Sequence, residues 1–131
     1  MIALDTNVIV RYIVQDDKKQ SKKSAEIIEG ELSQENRGFI SSIVLCEVLW
    51  VLARAYKQPK SKVLEVIRVI FETDVFELEH RSEVWRAYVA YAKGKADFSD
   101  YLIDEIGRSA GADKTVTFDT ACSSQEHFSV I

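Results

Sequence analysis

The sequence predicts an α/β fold: a central, mainly parallel sheet of four to five strands flanked by helices. Three observations carry this expectation. Short apolar runs of strand length alternate with longer stretches of helical period. Two helical stretches separate each of the first four runs, as parallel neighbours require. The first run, Met1–Leu4, and a late one, Lys114–Phe118, both end abruptly in an aspartate, Asp5 and Asp119.

Taken in order, Met1–Leu4 reads as a buried strand that delivers Asp5 to the sheet edge, where open parallel sheets bind their ligands. A second reading stands beside it: Asp5 or Thr6 caps the helix that follows. Val8–Val14 is a short helix with Val10, Ile13 and Val14 at helical spacing, broken by Asp16-Asp17. Lys18–Leu32 is the next helix, with Ala25, Ile28 and Leu32 on one face. Gly38–Ser41 is a strand, and Ser42 is a suitable N-cap for a helix reaching about Tyr56.

That helix is apolar nearly all round, through Ile43–Cys46 and Val48–Ala53, the mark of a central, heavily buried helix. Glu47 interrupts it. A buried carboxylate needs a partner, because desolvation of its charge is costly. Glu47 is therefore expected either to pair with a cation or to look into a polar cleft; an edge residue that reaches water is the less favoured reading.

Pro59–Phe71 reads as an amphipathic helix, Val75–Leu78 as a strand, and His80–Lys93 as a helix with Val84, Ala87, Tyr88 and Tyr91 inward. After Gly94-Lys95, a helix opens on acids: Asp97-x-x-Asp100 has capping-box spacing, and acids favour a first helical turn. Asp104 lies one turn beyond Asp100 on the same face, where like charges repel unless something separates them. Lys114–Asp119 is a strand with a terminal acid, and Phe128–Ile131 a final edge strand. One domain, residues 1–131, is expected.

Composition narrows the function. Hydrophobic residues at 47% and charged residues at 29% describe an ordinary globular chain. No apolar stretch reaches the roughly 20 residues that span a bilayer, and no signal-peptide layout opens the chain, so a cytoplasmic location is expected. Cys46 and Cys122 lie far apart and without histidines at zinc spacing, which gives no case for a zinc site or a cysteine nucleophile. A net charge of −4 argues against gripping nucleic acid with the bulk surface. It leaves room for a nuclease, since carboxylates that bind divalent cations make a chain acidic while the ions restore local positive charge.

In a parallel sheet, strand ends and helix starts gather at one edge, so Asp5, Glu47, Asp97, Asp100 and Asp119 are expected to line one pocket. Several carboxylates in one cleft do not all stay ionised without cations. Oxygen ligands without histidine or cysteine select hard ions, Mg²⁺ or Mn²⁺. Such a site suits in-line phosphoryl chemistry, with the ions stabilising the attacking and leaving oxygens.

The chain resembles PIN-domain proteins of the VapC-type toxin ribonucleases, from end to end. The residues that carry the resemblance are Leu4-Asp5-Thr6-Asn7-Val8, Ile40–Val48 around Glu47, Ala96–Ile103 around Asp97 and Asp100, Gly111-Ala112-Asp113, and Thr117-Phe118-Asp119. The resemblance implies a PIN-like, Rossmann-like three-layer fold and Asp5, Glu47, Asp100 and Asp119 as an acidic quartet, with Asp97 as a neighbouring ligand. It implies Mg²⁺- or Mn²⁺-dependent cleavage of RNA, with Thr6, Asn7 and Thr117 in supporting roles. It also implies a homodimer and a small antitoxin protein as partner, with no membrane.

Asp104 and Glu105 depart from the family pattern, which usually places small apolar residues there. Asp104 is either an outer-shell or second-ion contact, or a solvated surface charge. Two other aspartate-at-strand-end chemistries are disfavoured. A phosphatase using an aspartyl nucleophile needs a second aspartate where Asn7 stands, and a receiver domain needs an acidic pair and a late lysine that are missing here. A PIN scaffold that binds RNA or a protein without cleaving it remains the alternative.

Overall fold

Three of the apolar runs pair in register. In the computed structural model, which describes residues 1–131, β1 (Ile2–Ala3), β2 (Gly38–Ile40) and β3 (Phe76–Leu78) form a parallel sheet in the order β1-β2-β3. Ile2 is opposite Gly38, and Gly38 is opposite Phe76. These strands belong to the first of two units, Met1–Glu79 and His80–Ile131.

Four helices fill the connections of the first unit: α1 (Thr6–Val14), α2 (Lys18–Ala25), α3 (Ser42–Arg54) and α4 (Lys60–Glu72). Helix α1 packs on α2 and α3, and α3 packs on α4. Ile9, Ile40, Leu45, Val48, Leu52 and Ile67 are almost wholly withdrawn from solvent and form the heart of this core.

Three expectations are corrected here. The helix expected over Lys18–Leu32 is α-helical only to Ala25 and continues as a π-helix over Glu26–Glu31, closing with the Leu32 N–H on the Ile27 carbonyl at 3.0 Å. The wider turn shifts the helical register, and Ile28 and Leu32 both end buried. The N-cap of α3 is Ser41, whose Oγ accepts the Val44 N–H at 3.2 Å; Ser42 is the first helical residue, and its N–H donates to Glu79.

Nor is α3 buried all round. Leu45, Val48, Leu49 and Leu52 face the core, while Ile43 (77% exposed), Glu47 and Trp50 (60% exposed) share an open face at helical spacing. Apolar composition alone concealed that face.

The second unit holds α5 (Arg81–Lys93) packed on α6 (Phe98–Ser109), and a parallel pair of strands, β4 (Thr115–Thr117) and β5 (Phe128–Val130). The five strands thus lie in sheets of three and two strands rather than in one sheet of four to five. A 3₁₀ turn, Thr120–Cys122, lies between β4 and β5.

Asp104 and Glu105 are 5% and 6% exposed, which removes the solvated-charge reading. Asp104 Oδ1 accepts the Thr115 hydroxyl at 2.7 Å, and its other oxygen lies 3.2 Å from Arg108 Nε. Glu105 accepts Arg86 Nε at 2.8 Å and is paired with Arg108 as well. Buried carboxylates persist where they are partnered. These partners tie α6 to α5 and to the start of β4. No helix is long and apolar enough to cross a membrane.

Candidate functional site

In the first unit, the Leu4 N–H donates to the Phe39 carbonyl at 2.9 Å, and buried Leu4 ends the pairing of β1 with β2. The next residue, Asp5, is free of the sheet and exposed. Its Oδ1 accepts the Thr6 N–H at 2.7 Å, making it the N-cap of α1. The capping reading of Asp5 therefore holds, and the same carboxylate opens onto a hollow of about 250 Å³. Thr6, Asn7, Arg11, Glu47 and Tyr56 share that hollow. Glu47 lines this hollow and is exposed, so it reaches water as the less favoured reading had it, within a cleft that also holds Asp5. The cleft explains the open face of α3 at this residue.

Thr6 Oγ1 is buried with no hydrogen-bond partner in the protein. An orphaned hydroxyl beside an exposed carboxylate is a place where water or an ion-bound water completes the hydrogen bonding.

Arg11 and its partners Asp16, Gln20 and Tyr56 belong to no motif and were missed from sequence as residues of this region. Arg11 Nη1 donates to Asp16 Oδ1 at 2.8 Å and to the Tyr56 hydroxyl at 3.0 Å; its Nε donates to Gln20 Oε1 at 2.7 Å. The Tyr56 hydroxyl in turn donates to Asp16 Oδ2 at 2.7 Å. That bond, with the help of Arg11, holds the Asp16 carboxyl below its usual range. The available signal was one arginine inside the apolar pattern of Val8–Val14.

In the second unit, Asp97 is the N-cap of α6, and Asp100 Oδ2 accepts the Asp97 N–H at 3.0 Å in the capping box that the spacing predicts. Gly94 makes this approach feasible. A Cβ there would lie 1.8 Å from the Tyr101 hydroxyl oxygen, which accepts the Ala96 N–H at 3.1 Å and anchors the segment leading to Asp97. At the end of β4, Thr117 Oγ1 accepts the Asp119 N–H at 3.0 Å, and Asp119 Oδ1 accepts the Ala121 N–H at 2.9 Å. Thr117 thus orients Asp119 through its backbone.

These caps bring Asp100 and Asp119 together. One carboxylate oxygen of each, and Cys122 Sγ, all lie within 4.8 Å of one another. Burial, chiefly, pushes the Asp100 carboxyl up from its usual range, and the negative charges of Asp119 and Asp97 add to it. Burial likewise pushes the Cys122 thiol up to about 11, so it is a neutral neighbour at physiological pH. Asp104, one turn along, is directed to Thr115 and Arg108.

Two carboxylates at this separation repel unless a cation lies between them, and a donor set dominated by carboxylate oxygens fits a divalent ion. Cys122 was also missed from sequence, because nothing in its spacing links it to Asp100.

Comparison with known proteins identifies the family. It is 26% identical over 119 residues to a VapC ribonuclease of Aquifex aeolicus (strain VF5), covering 90% of this chain and 87% of that protein. The family model for the PIN domain matches residues 2–125. A match that runs over nearly the whole chain, with both strand-terminal aspartates inside it, makes this protein a member of the PIN domain family.

Proposed function

We propose that this protein is a divalent-metal-dependent endoribonuclease, the toxin of a toxin–antitoxin pair. The observation that supports it most is the meeting of Asp100 and Asp119, with Asp100 held in surroundings that disfavour its charge until a cation arrives. The likeness to a VapC ribonuclease supports RNA as the substrate and a small antitoxin as the partner. A homodimer, a cytoplasmic location and a single domain over residues 1–131 belong to the same reading.

In this mechanism Asp5, Glu47, Asp100 and Asp119 are the catalytic acids, and Asp5, Asp97, Asp100 and Asp119 the metal ligands. Mg²⁺ or Mn²⁺, when bound, supplies Lewis-acid stabilisation of the charge that builds on the phosphoryl oxygens and lowers the pKa of water. The protein's own residues prepare for this. Asp5 is fixed by its capping bond to Thr6, and Asp119 by its bonds to Thr117 and Ala121, so neither loses much freedom when it binds an ion. Asn7 borders the same hollow and orients waters around Asp5. Glu47, exposed at the cleft, is placed to accept a proton from water. Asp104 is a positioning residue that holds Thr115 at the start of the strand leading to Asp119.

The test is incubation of the purified protein with an RNA oligonucleotide and Mn²⁺, alongside Asp5→Asn and Asp100→Asn. Cleavage by the wild type, abolished by chelation and by either substitution, is the expected result. Equal degradation by all three proteins would identify a contaminant. RNA binding without cleavage would favour the catalytically silent scaffold.

A further inference from the structure

A second hollow, of about 180 Å³, is lined by Asn7, Val8, Arg11, Gln20, Lys23 and Ser24. Asn7 and Arg11 also line the cleft that holds Asp5 and Glu47, so the two hollows adjoin at these residues. We propose that the second hollow is the subsite for the RNA phosphate next to the scissile one, with Arg11 and Lys23 as its cationic contacts. This rests on the ribonuclease reading above and assigns residues outside the acidic quartet.

Charge is the first argument. A cleft bearing Asp5 and Glu47, in a chain of net charge −4, repels every phosphate that is not offset by a bound cation. A flanking phosphate therefore needs a cation of its own, supplied by the protein. Arg11 and Lys23 are the two cationic side chains of this hollow.

Preorganisation is the second. The Arg11 guanidinium is held by three bonds, from Nε to Gln20 and from Nη1 to Asp16 and Tyr56. Its Nη2 makes none of these bonds. A guanidinium fixed in this way presents a donor edge with little further loss of freedom on binding. Because Asp16 balances the charge of Arg11, exposed Lys23 supplies the net positive charge.

Size is the third. Pockets for drug-sized molecules begin near 300 Å³. This smaller hollow, with Arg11, Gln20 and Lys23 among its lining residues, suits a phosphate and part of its sugar rather than a whole buried base.

The test compares a dinucleoside monophosphate, whose only phosphate is the scissile one, with an RNA oligonucleotide several residues longer, both with Mn²⁺. Lys19→Ala, on the same helix but outside the hollow, serves as the control. Lys23→Ala is expected to lower the ratio of kcat/KM for the long substrate to that for the short one by roughly threefold, mainly through KM. Arg11→Gln is expected to lower it by about tenfold. Binding of the long RNA should also lose salt dependence in Lys23→Ala, its log–log slope becoming shallower by about 0.7.

A ratio and a slope for Lys23→Ala equal to those of Lys19→Ala would overturn the subsite while leaving the ribonuclease reading intact. Failure of the wild type to cleave either RNA would overturn both.

Discussion

Asp100 sits where burial and two neighbouring acids all disfavour its charge. A carboxyl whose pKa is raised in the folded protein binds its proton more tightly there than in the unfolded chain. The stability this group contributes is therefore greatest below the ordinary pKa near 3.8 and falls as pH rises through the folded value. Asp100→Asn removes that loss while keeping an oxygen to accept the Asp97 N–H. In metal-free protein, the variant should melt above the wild type at pH 7, and the difference should close toward pH 3.8 and below. Equal melting at both pH values would contradict this account. Gly94 makes a sharper case: a methyl group there collides with the buried Tyr101 ring and hydroxyl. Gly94→Ala should cost about 1–3 kcal/mol, read from urea unfolding. Gly38→Ala meets two leucine side chains, Leu4 and Leu32, rather than a ring, and should cost less. At this scale the sequence revealed how Asp97 and Asp100 cap α6. It left Asp104 undecided, because its contact with Thr115 is a tertiary fact that spacing does not encode.

Element types were legible because period and capping chemistry agreed for most of the chain, and boundaries fell within a few residues. The failures were local. Helix α1 ends on Gln15 in a left-handed conformation (φ 63°), without the glycine that usually marks such an end. The π-helical stretch after α2 leaves no mark in composition. Helix α3 misled most, since leucines that face the core and a tryptophan that faces solvent look alike in a run. Substitutions separate the two faces. Leu45→Ala, at a site 1% exposed, should cost about 2–5 kcal/mol. Trp50→Ser should stay within about 0.5 kcal/mol for the isolated protomer, and Ser41→Ala should lose about 1 kcal/mol with its cap. Similar losses for Leu45→Ala and Trp50→Ser would contradict the assigned faces. The reward of the open face is functional: it is how Glu47, on a helix that reads as wholly buried, reaches the hollow shared with Asp5 and Arg11.

Across the whole molecule, the acids follow one design. Each of Asp5 and Asp119 lies two residues past a strand and caps the helical element that comes next, and Asp100 is locked into a helix start. Capping fixes the backbone and leaves carboxylate oxygens for an ion. Adding Mn²⁺ at a hundred times its dissociation constant should therefore stabilise the wild type by about 2.7 kcal/mol. Asp100→Asn should gain much less, and an equal gain would place the ion elsewhere. The central proposal is that Asp5 and Asp119 serve one metal-dependent reaction. It is tested most directly by single-turnover RNA cleavage with Asp5→Asn, Asp119→Asn and the double variant. Residues that act as a unit are strongly non-additive. The double variant should then be no slower than the slower single one. Losses that multiply in the double variant, or a double variant as active as the wild type, would contradict the claim.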